Sequence, residues 1–403
     1  MNVIDYYIST LDLIFLFSAT FLLLLLILNS KKLWFRQFIA LAVILRVVLL
    51  LCDMYHLFSI PNLGADSEFF HYLAVTNQNN AHPRYITNYS VFLTSLYSFT
   101  NSSRVVAQFV NVLFGIGVII FSQKCLLLFN IEEHLVKVGT LILCFEPNLI
   151  IFSAGLLREA WVEFFVSVSL YYFLLWYKNN SQRNFLLSLI FLLLGSYMHA
   201  GVIGIAVGYF LVYTLYHRGD NSFKFNARSW FAIFAIIIFV IFLSQNMGVF
   251  GEKMAGMDAE NADEVIVARY EKSEIGGSDY LQWLPVTDFA GALLFSPLKM
   301  FYFLFSPVPW EWRGIQDLLA FVIDSGWYCI LCWAIFRSKA NSLRTLKRGL
   351  ILSLLCVVFI FGIGVSNAGT AMRHRAKILS LVVVTYCVSL SSKVINSKDY
   401  SFY

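Results

Sequence analysis

Three short stretches concentrate the residues that could do chemistry. In GADSEFFHYLA, Asp66, Glu68 and His71 fall within one and a half helical turns. Positions 68 and 71 are three apart and 66 lies one turn from 70, so a short helix is expected to show them together. Two carboxylates and an imidazole can provide a general base for a substrate hydroxyl. They can equally hold a divalent cation through oxygen ligands, or form the polar face of a helix whose Phe69, Phe70, Tyr72 and Leu73 rest on an apolar surface. In SAGLLREAWVEFF, Arg158 and Glu159 open an apolar run, with Glu163 one turn further on. The two readings there are a local ion pair at a helix end and an arginine placed for an anionic lipid. In AMRHRAK, Arg373, His374, Arg375 and Lys377 crowd into five positions. Guanidinium forks match phosphate oxygens; the plain alternative is a set of anchoring side chains. His199 stands in SYMHAG between two apolar runs. Arg46 and Asp53, seven apart in VILRVVLLLCDMYH, read as a buried support pair on one helix face.

The elements that carry these residues follow from composition. Of 403 residues, 59% are hydrophobic and 13% charged, against about 25% charged in ordinary soluble domains. A soluble fold cannot hide that much apolar surface, which excludes a cytosolic enzyme, a disordered chain and a nucleic-acid binder. With roughly 20 apolar residues needed per membrane crossing, the sequence predicts an all-α polytopic membrane protein. About eleven transmembrane helices are expected, over 11–29, 38–58, 105–123, 138–154, 159–177, 184–198, 201–216, 230–246, 316–336, 349–364 and 376–391. The first run lacks a basic leader, and Asp5 precedes it, so it reads as a permanent span. The seven cysteines lie in or beside apolar runs. Cys329 and Cys332 form a CxxC without a second pair, which reads as packing.

Lysine and arginine set the expected direction. Alternate loops from Lys31 to the tail hold seventeen basic residues and four acids, so these loops are expected in the cytoplasm, the N-terminus outside and the C-terminus inside. The chain reads as a single transmembrane domain, 1–403, with a first large outer loop at 59–104 and a second at 247–315. The second carries ten acids against five bases. Within it, 289–309 is apolar and aromatic but broken by Pro297, Pro307 and Pro309, and is expected to be re-entrant or interfacial. The polar clusters of the first paragraph all fall on the outer side of this map.

An acidic motif after an early span (GADSEFFHYLA), LLREAWVEFF at the mouth of a later one, the proline-aromatic FLFSPVPWEW and the basic AMRHRAK before the last helix together resemble the GT-C type of polytopic glycosyltransferase. Within that type the pattern is most similar to bacterial O-antigen and capsular polysaccharide repeat-unit polymerases (Wzy-like), over roughly residues 36–391. The resemblance implies a multi-pass protein of the bacterial cytoplasmic membrane, with undecaprenyl-linked oligosaccharides as donor and acceptor. A flippase and a chain-length regulator are then the expected partners, beside membrane lipids. It implies Asp66 as base or metal ligand with Glu68 behind it and His71 beside them. Arg158, Arg373, His374 and Arg375 would hold the donor diphosphate, with Glu159 and His199 in support. The first outer loop here follows the second span, where the family has it after the first.

The physical logic of the activity that the resemblance implies stands without the family. Outside the cytoplasm a sugar donor must come attached to a lipid, and its phosphate leaving group gains charge as it departs. Cations waiting there lower the barrier, and a carboxylate or imidazole opposite can take the acceptor's proton. Trp283, Trp310 or Trp312 offer faces for sugar rings. A flippase or transporter for the lipid-linked oligosaccharide is the main rival, and it would show charges along a path through mid-membrane. A second rival is another lipid-dependent enzyme, such as a ligase, an acyltransferase or a single-sugar transferase using a polyprenyl-phosphate donor, and a third is a structural subunit of a membrane complex, which would leave Arg373 to Arg375 dispensable.

Overall fold

The described residues are 79% helical with almost no strand. The computed structural model describes residues 8–29, 32–58, 60, 63–76, 87–226, 229–230, 234, 278–284, 288–340 and 342–392. Apolar runs become helices because only a helix satisfies its own backbone in lipid. They are α1 (Thr10–Leu28), α2 (Leu33–Met54), α3 (Gly64–Val75), α4 (Asn88–Thr100), α5 (Arg104–Leu128), α6 (Glu133–Phe145), α7 (Pro147–Ala154), α8 (Glu159–Asn179), α9 (Gln182–Met198) and α10 (Ile203–Leu215). A two-strand hairpin follows, β1 (Tyr216–His217) antiparallel to β2 (Ser222–Phe223). After it come α11 (Phe289–Leu294), α12 (Ser296–Phe305), α13 (Ile315–Ala320), α14 (Gly326–Arg337), α15 (Arg344–Gly364), α16 (Ala368–Ala376) and α17 (Leu379–Leu390).

Among the described residues, six helices are long and apolar enough to cross a membrane: α1, α2, α5, α8, the 315–337 segment and α15. A seventh crossing results if α6 and α7, bent by 48° at Glu146–Pro147, count as one. Two shorter apolar helices cover Ala200–Leu215 and Leu379–Leu390. The expected span at 230–246 lies almost wholly outside the described residues. The 289–309 stretch folds as two short helices, α11 and α12, with Pro297 in the first turn of α12. Proline ends the incoming helix there and fits the first turn of the next.

Helices α5, α8 and α17 form the centre, with α2 and the α6–α7 pair packed on α5. Around it α9 lies along α8, and α15 holds α10 and α12. Local chemistry sets the boundaries. Ser9 and Asp12 make a capping box at the start of α1, Thr87 and Ser90 another at α4. Glu146 caps α7 by accepting from the Leu149 amide at 2.6 Å. Asn101 ends α4 in the left-handed region at φ 50°. Glycines bring α10 onto α15: a Cβ at Gly204 would lie 2.7 Å from the Val357 Cα, and one at Gly208 would overlap Ser353.

The loops sort to two ends of the bundle. At one, Lys178 bonds to the Leu128 carbonyl and Arg218 to that of Lys178. Thr345 reaches Asn221, Ser342 reaches Ser391, and Glu132 takes Ser391 and Ser392. At the other end lie the starts of α5 and α8, the whole of α3 and α16, and the candidate site.

Candidate functional site

Glu159, the first residue of α8, is the hub. Its side chain is 1% exposed. Arg373 donates to it at 2.8 Å and Lys377 lies 3.5 Å away, while Arg158 and His199 lie within its electrostatic reach. Arg373 also donates to Asp66, so one guanidinium joins α3, α8 and α16 across 307 and 214 residues of sequence. Lys377 is 2.9 Å from Nδ1 of His374. The rings of His374 and His199 meet edge to face with centroids 4.5 Å apart, both resting on Phe361. Several buried atoms of this cluster have no hydrogen-bond partner: Arg158 Nε, Arg373 Nε, Glu159 Oε2 and His199 Nδ1. Buried polar groups are nearly always satisfied, so donors and acceptors of both kinds are open here to water or another polar molecule.

Neighbouring polar residues hold the hub in place. Asn111 of α5 donates to the carbonyls of Gly155 at 2.7 Å and Leu157 at 2.9 Å, and accepts from the Trp161 indole at 2.7 Å. This clamps the turn that presents Arg158 and Glu159. Asn367 caps α16 through the Thr370 amide and takes a bond from Ser278 at 3.0 Å. The second large loop thus docks at 278–280 on the turn leading into the basic helix, with the Tyr280 amide on the Ser366 carbonyl at 3.0 Å.

The structure divides the residues singled out in the sequence. Asp66, Arg158, Glu159, His199, Arg373 and His374 come together, and Lys377 joins them. Glu68 and His71 turn elsewhere. Glu68 pairs with Arg104 at 2.5 Å, and His71 meets the Tyr97 hydroxyl at 2.8 Å. Residues two apart on a helix do not share a face, which separates Glu68 from Asp66. Burial, with Arg104 nearby, holds the His71 imidazole down at about 4, so it is neutral at pH 7.

Arg375 also turns away from Arg373, for the same two-residue reason. It is fully buried and pairs with Asp324. Its remaining donors go to the carbonyls of Phe303 at 2.6 Å and Ser306 at 2.7 Å. All three nitrogens of that guanidinium are engaged, so it fastens the π-helical turn Phe321–Ser325 to the end of α12 and faces away from the Arg373 cluster. The expected Arg46–Asp53 pair does not form. Two helical turns separate the residues by roughly 10 Å, and each finds a nearer partner. Asp53 takes Arg104 at 3.1 Å and Gln108 at 2.6 Å. Arg46 takes Ser153 at 2.9 Å and two main-chain carbonyls.

Sequence reading passed over Arg104, Glu146, Asn148 and Asp324. Asn148 donates to Asp324 at 2.9 Å. The signal was present: Glu146 in LCFEPNL and Asp324 in AFVIDSG each break an apolar run, and such residues face protein rather than lipid. The buried charges therefore extend from the mouth toward the middle of the bundle, deeper than the one-sided pattern expected. Among the described residues, no three His, Cys, Asp or Glu side chains converge to hold a metal ion. No family model, curated protein or solved structure matches the chain.

Proposed function

We propose that this chain is a glycosyltransferase of the bacterial cytoplasmic membrane, working on its outer face with an undecaprenyl-diphosphate-linked sugar donor. Its product is a surface polysaccharide, O-antigen or capsule, built by joining oligosaccharide repeat units. The proposal includes eleven spans, the N-terminus outside and the C-terminus in the cytoplasm. The single observation that carries it is Arg373 gripping Asp66 and Glu159 beside Lys377 and Arg158. Cations and a half-exposed carboxylate share one mouth, opposite the end that gathers the basic loops.

The mechanism uses the fork of Arg373 twice. Without donor it holds Asp66, whose side chain is 46% exposed and can move. An arriving diphosphate competes for the same guanidinium and frees Asp66 beside the acceptor. The acceptor hydroxyl attacks the anomeric carbon, and the bond from that carbon to the diphosphate oxygen breaks. The electron pair leaves on the phosphate, where Arg373, Lys377 and Arg158 stabilise it. Asp66 takes the hydroxyl proton. His199 and His374 pack the floor of the cluster, and Glu159 fixes the cations in position. The donor set found at Asp66 does not make a metal site, so no step passes through one. An apolar groove of about 720 Å³ beside α12, walled by Phe301, Phe305, Trp333 and Phe336, suits a hydrocarbon chain.

Arg373→Ala and Arg158→Ala should each abolish long polysaccharide chains while the protein persists at its normal level. Gel analysis of surface polysaccharide from complemented deletion cells checks this, and normal chain lengths in both variants would refute the proposal. One observation favours the rival transporter: Arg46, Glu146, Asp324 and Arg375 are buried charges deep in the bundle. A transporter predicts that the same variants strand lipid-linked repeat units on the cytoplasmic leaflet. A polymerase predicts that single units accumulate on the outer one.

A further inference from the structure

The turn between α14 and α15 forms a crevice of about 460 Å³ at the end of the bundle that gathers the basic loops. Ser338, Lys339, Ala340, Arg344, Lys347 and Arg348 line it, four cations and no acid. The turn is pinned to the end of α17: Ser338 donates to the Ser389 carbonyl, and Ser342 to that of Ser391 at 2.6 Å. Lys347 reaches the Ser338 carbonyl at 3.2 Å. Taken alone, this grouping of charge is unfavourable. Arg344 and Arg348 are four apart on a helix, where like charges repel. Arg344 and Lys347, in the first turn of α15, also oppose the helix dipole. Other lysines at this end have acids beside them. Lys32 and Lys137 share Glu133 at 3.6 and 3.8 Å, and Lys224 meets Asp220. A phosphate group among the crevice cations would relieve their repulsion.

The apolar groove beside α12 adjoins this crevice. Cys329, Cys332, Trp333, Phe336 and Arg337 share one face of α14 and wall the groove. The next residue, Ser338, already lines the crevice, so the apolar and cationic walls meet at one peptide bond. Arg337 stands at that seam, with its guanidinium 5.2 Å from the centre of the Trp333 ring. A hydrocarbon-lined channel that ends among cations matches a molecule with an apolar tail and an anionic head.

We infer that crevice and groove together bind one anionic phospholipid from the leaflet at that end of the bundle. Its phosphate lies among Lys339, Arg344 and Arg348, and an acyl chain runs along Trp333 and Phe336. The crevice lies at the other end of the bundle from Arg373, so this lipid is distinct from the diphosphate proposed there.

The test is native mass spectrometry of the full chain in detergent, loaded with phosphatidylglycerol or phosphatidylcholine of identical acyl chains. Wild type should retain phosphatidylglycerol more strongly. Changing Lys339, Arg344 and Arg348 together to Gln should weaken that retention by about fivefold for each cation removed and abolish the preference. Lys137→Gln, at a lysine already paired, should keep it. Trp333→Ala with Phe336→Ala should weaken retention of both lipids. Glycerol phosphate, added at the lipid's concentration, should leave phosphatidylglycerol in place, because it lacks the chain that the groove holds. Equal retention of the two lipids by wild type would overturn the inference. So would a triple variant that keeps the preference, or a Lys137→Gln chain that loses it, since the latter means diffuse surface charge. Displacement by glycerol phosphate would mean a site for free phosphate esters. Unchanged retention in the Trp333 and Phe336 variant would detach the groove from the crevice, and either result overturns the single lipid. If the triple variant does not fold, Lys339→Gln alone, in the exposed turn, makes the same comparison.

Discussion

At the scale of single residues, Arg104 shows how one missed side chain changes the roles of its neighbours. It is 3% exposed and holds Asp53 and Glu68 at once. That leaves Glu68 a fastening for α3 and makes Asp66 the acid that faces the cationic cluster. The site residues legible in the sequence were those whose polarity was out of place in an apolar chain: Asp66, Arg158, Glu159, Arg373. Their partners were not legible, because a pairing across 307 residues depends on the packed bundle. Within AMRHRAK, local spacing could have separated Arg373 from Arg375, since neighbours two apart on a helix point to different sides. His71 gives a prediction at this scale. Its folded-state value is depressed, from 6.5 to about 4, so the unfolded chain binds the proton more readily. The stability it secures is therefore complete above pH 6.5 and declines as pH falls toward 4, by on the order of 3 kcal/mol at most. Thermal denaturation in detergent should show that decline in wild type, and His71→Gln should flatten it. An unchanged profile in the variant would mean that other groups govern the acid limb.

Helices of this chain are defined as much by their interruptions as by their apolar runs. The 138–154 run read as one span, and the structure bends it by 48° where Glu146 and Pro147 meet. The bend was written in the dipeptide, since proline opens a helix readily but does not continue one. Its consequence, a carboxylate aimed into the bundle, needed the packing of α7 on α5 and α2 to be seen. Apolar runs at 201–216 and 349–364 were equally plain in the sequence, but not that they would be partners. Gly204 and Gly208, four apart, give α10 a smooth strip on which the α15 backbone rests. A side chain at 208 meets the Ser353 backbone, which cannot move aside as a flexible side chain would. Gly208→Val should therefore lower the detergent melting temperature, with a loss of about 1–3 kcal/mol expected for an overpacked contact. Gly219→Val, in the hairpin, should leave it unchanged. If the two variants melt alike, close helix approach is not what α10 contributes.

For the whole molecule, α8 acts as a ruler. Its 21 residues span roughly 30 Å, about the thickness of the hydrocarbon core. One end holds Glu159 with Arg373 and Asp66. At the other, Lys178 and Arg218 tie α5, α8 and the β hairpin together. The distribution of lysines and arginines along the sequence predicts that these two ends lie on opposite sides of the membrane. The contacts gather several of the basic loops at one end of the bundle. The direction of the ruler can be measured. In a chain with its own cysteines replaced, Ser95→Cys reports the site end from exposed α4, and Lys224→Cys reports the hairpin end. Intact cells treated with a membrane-impermeant maleimide should label position 95 and spare position 224 until the membrane is permeabilised. The reverse pattern would place the cationic mouth in the cytoplasm. A lipid-diphosphate donor carried on the outer leaflet could not reach it there, and the proposed glycosyl transfer would have no substrate on that side.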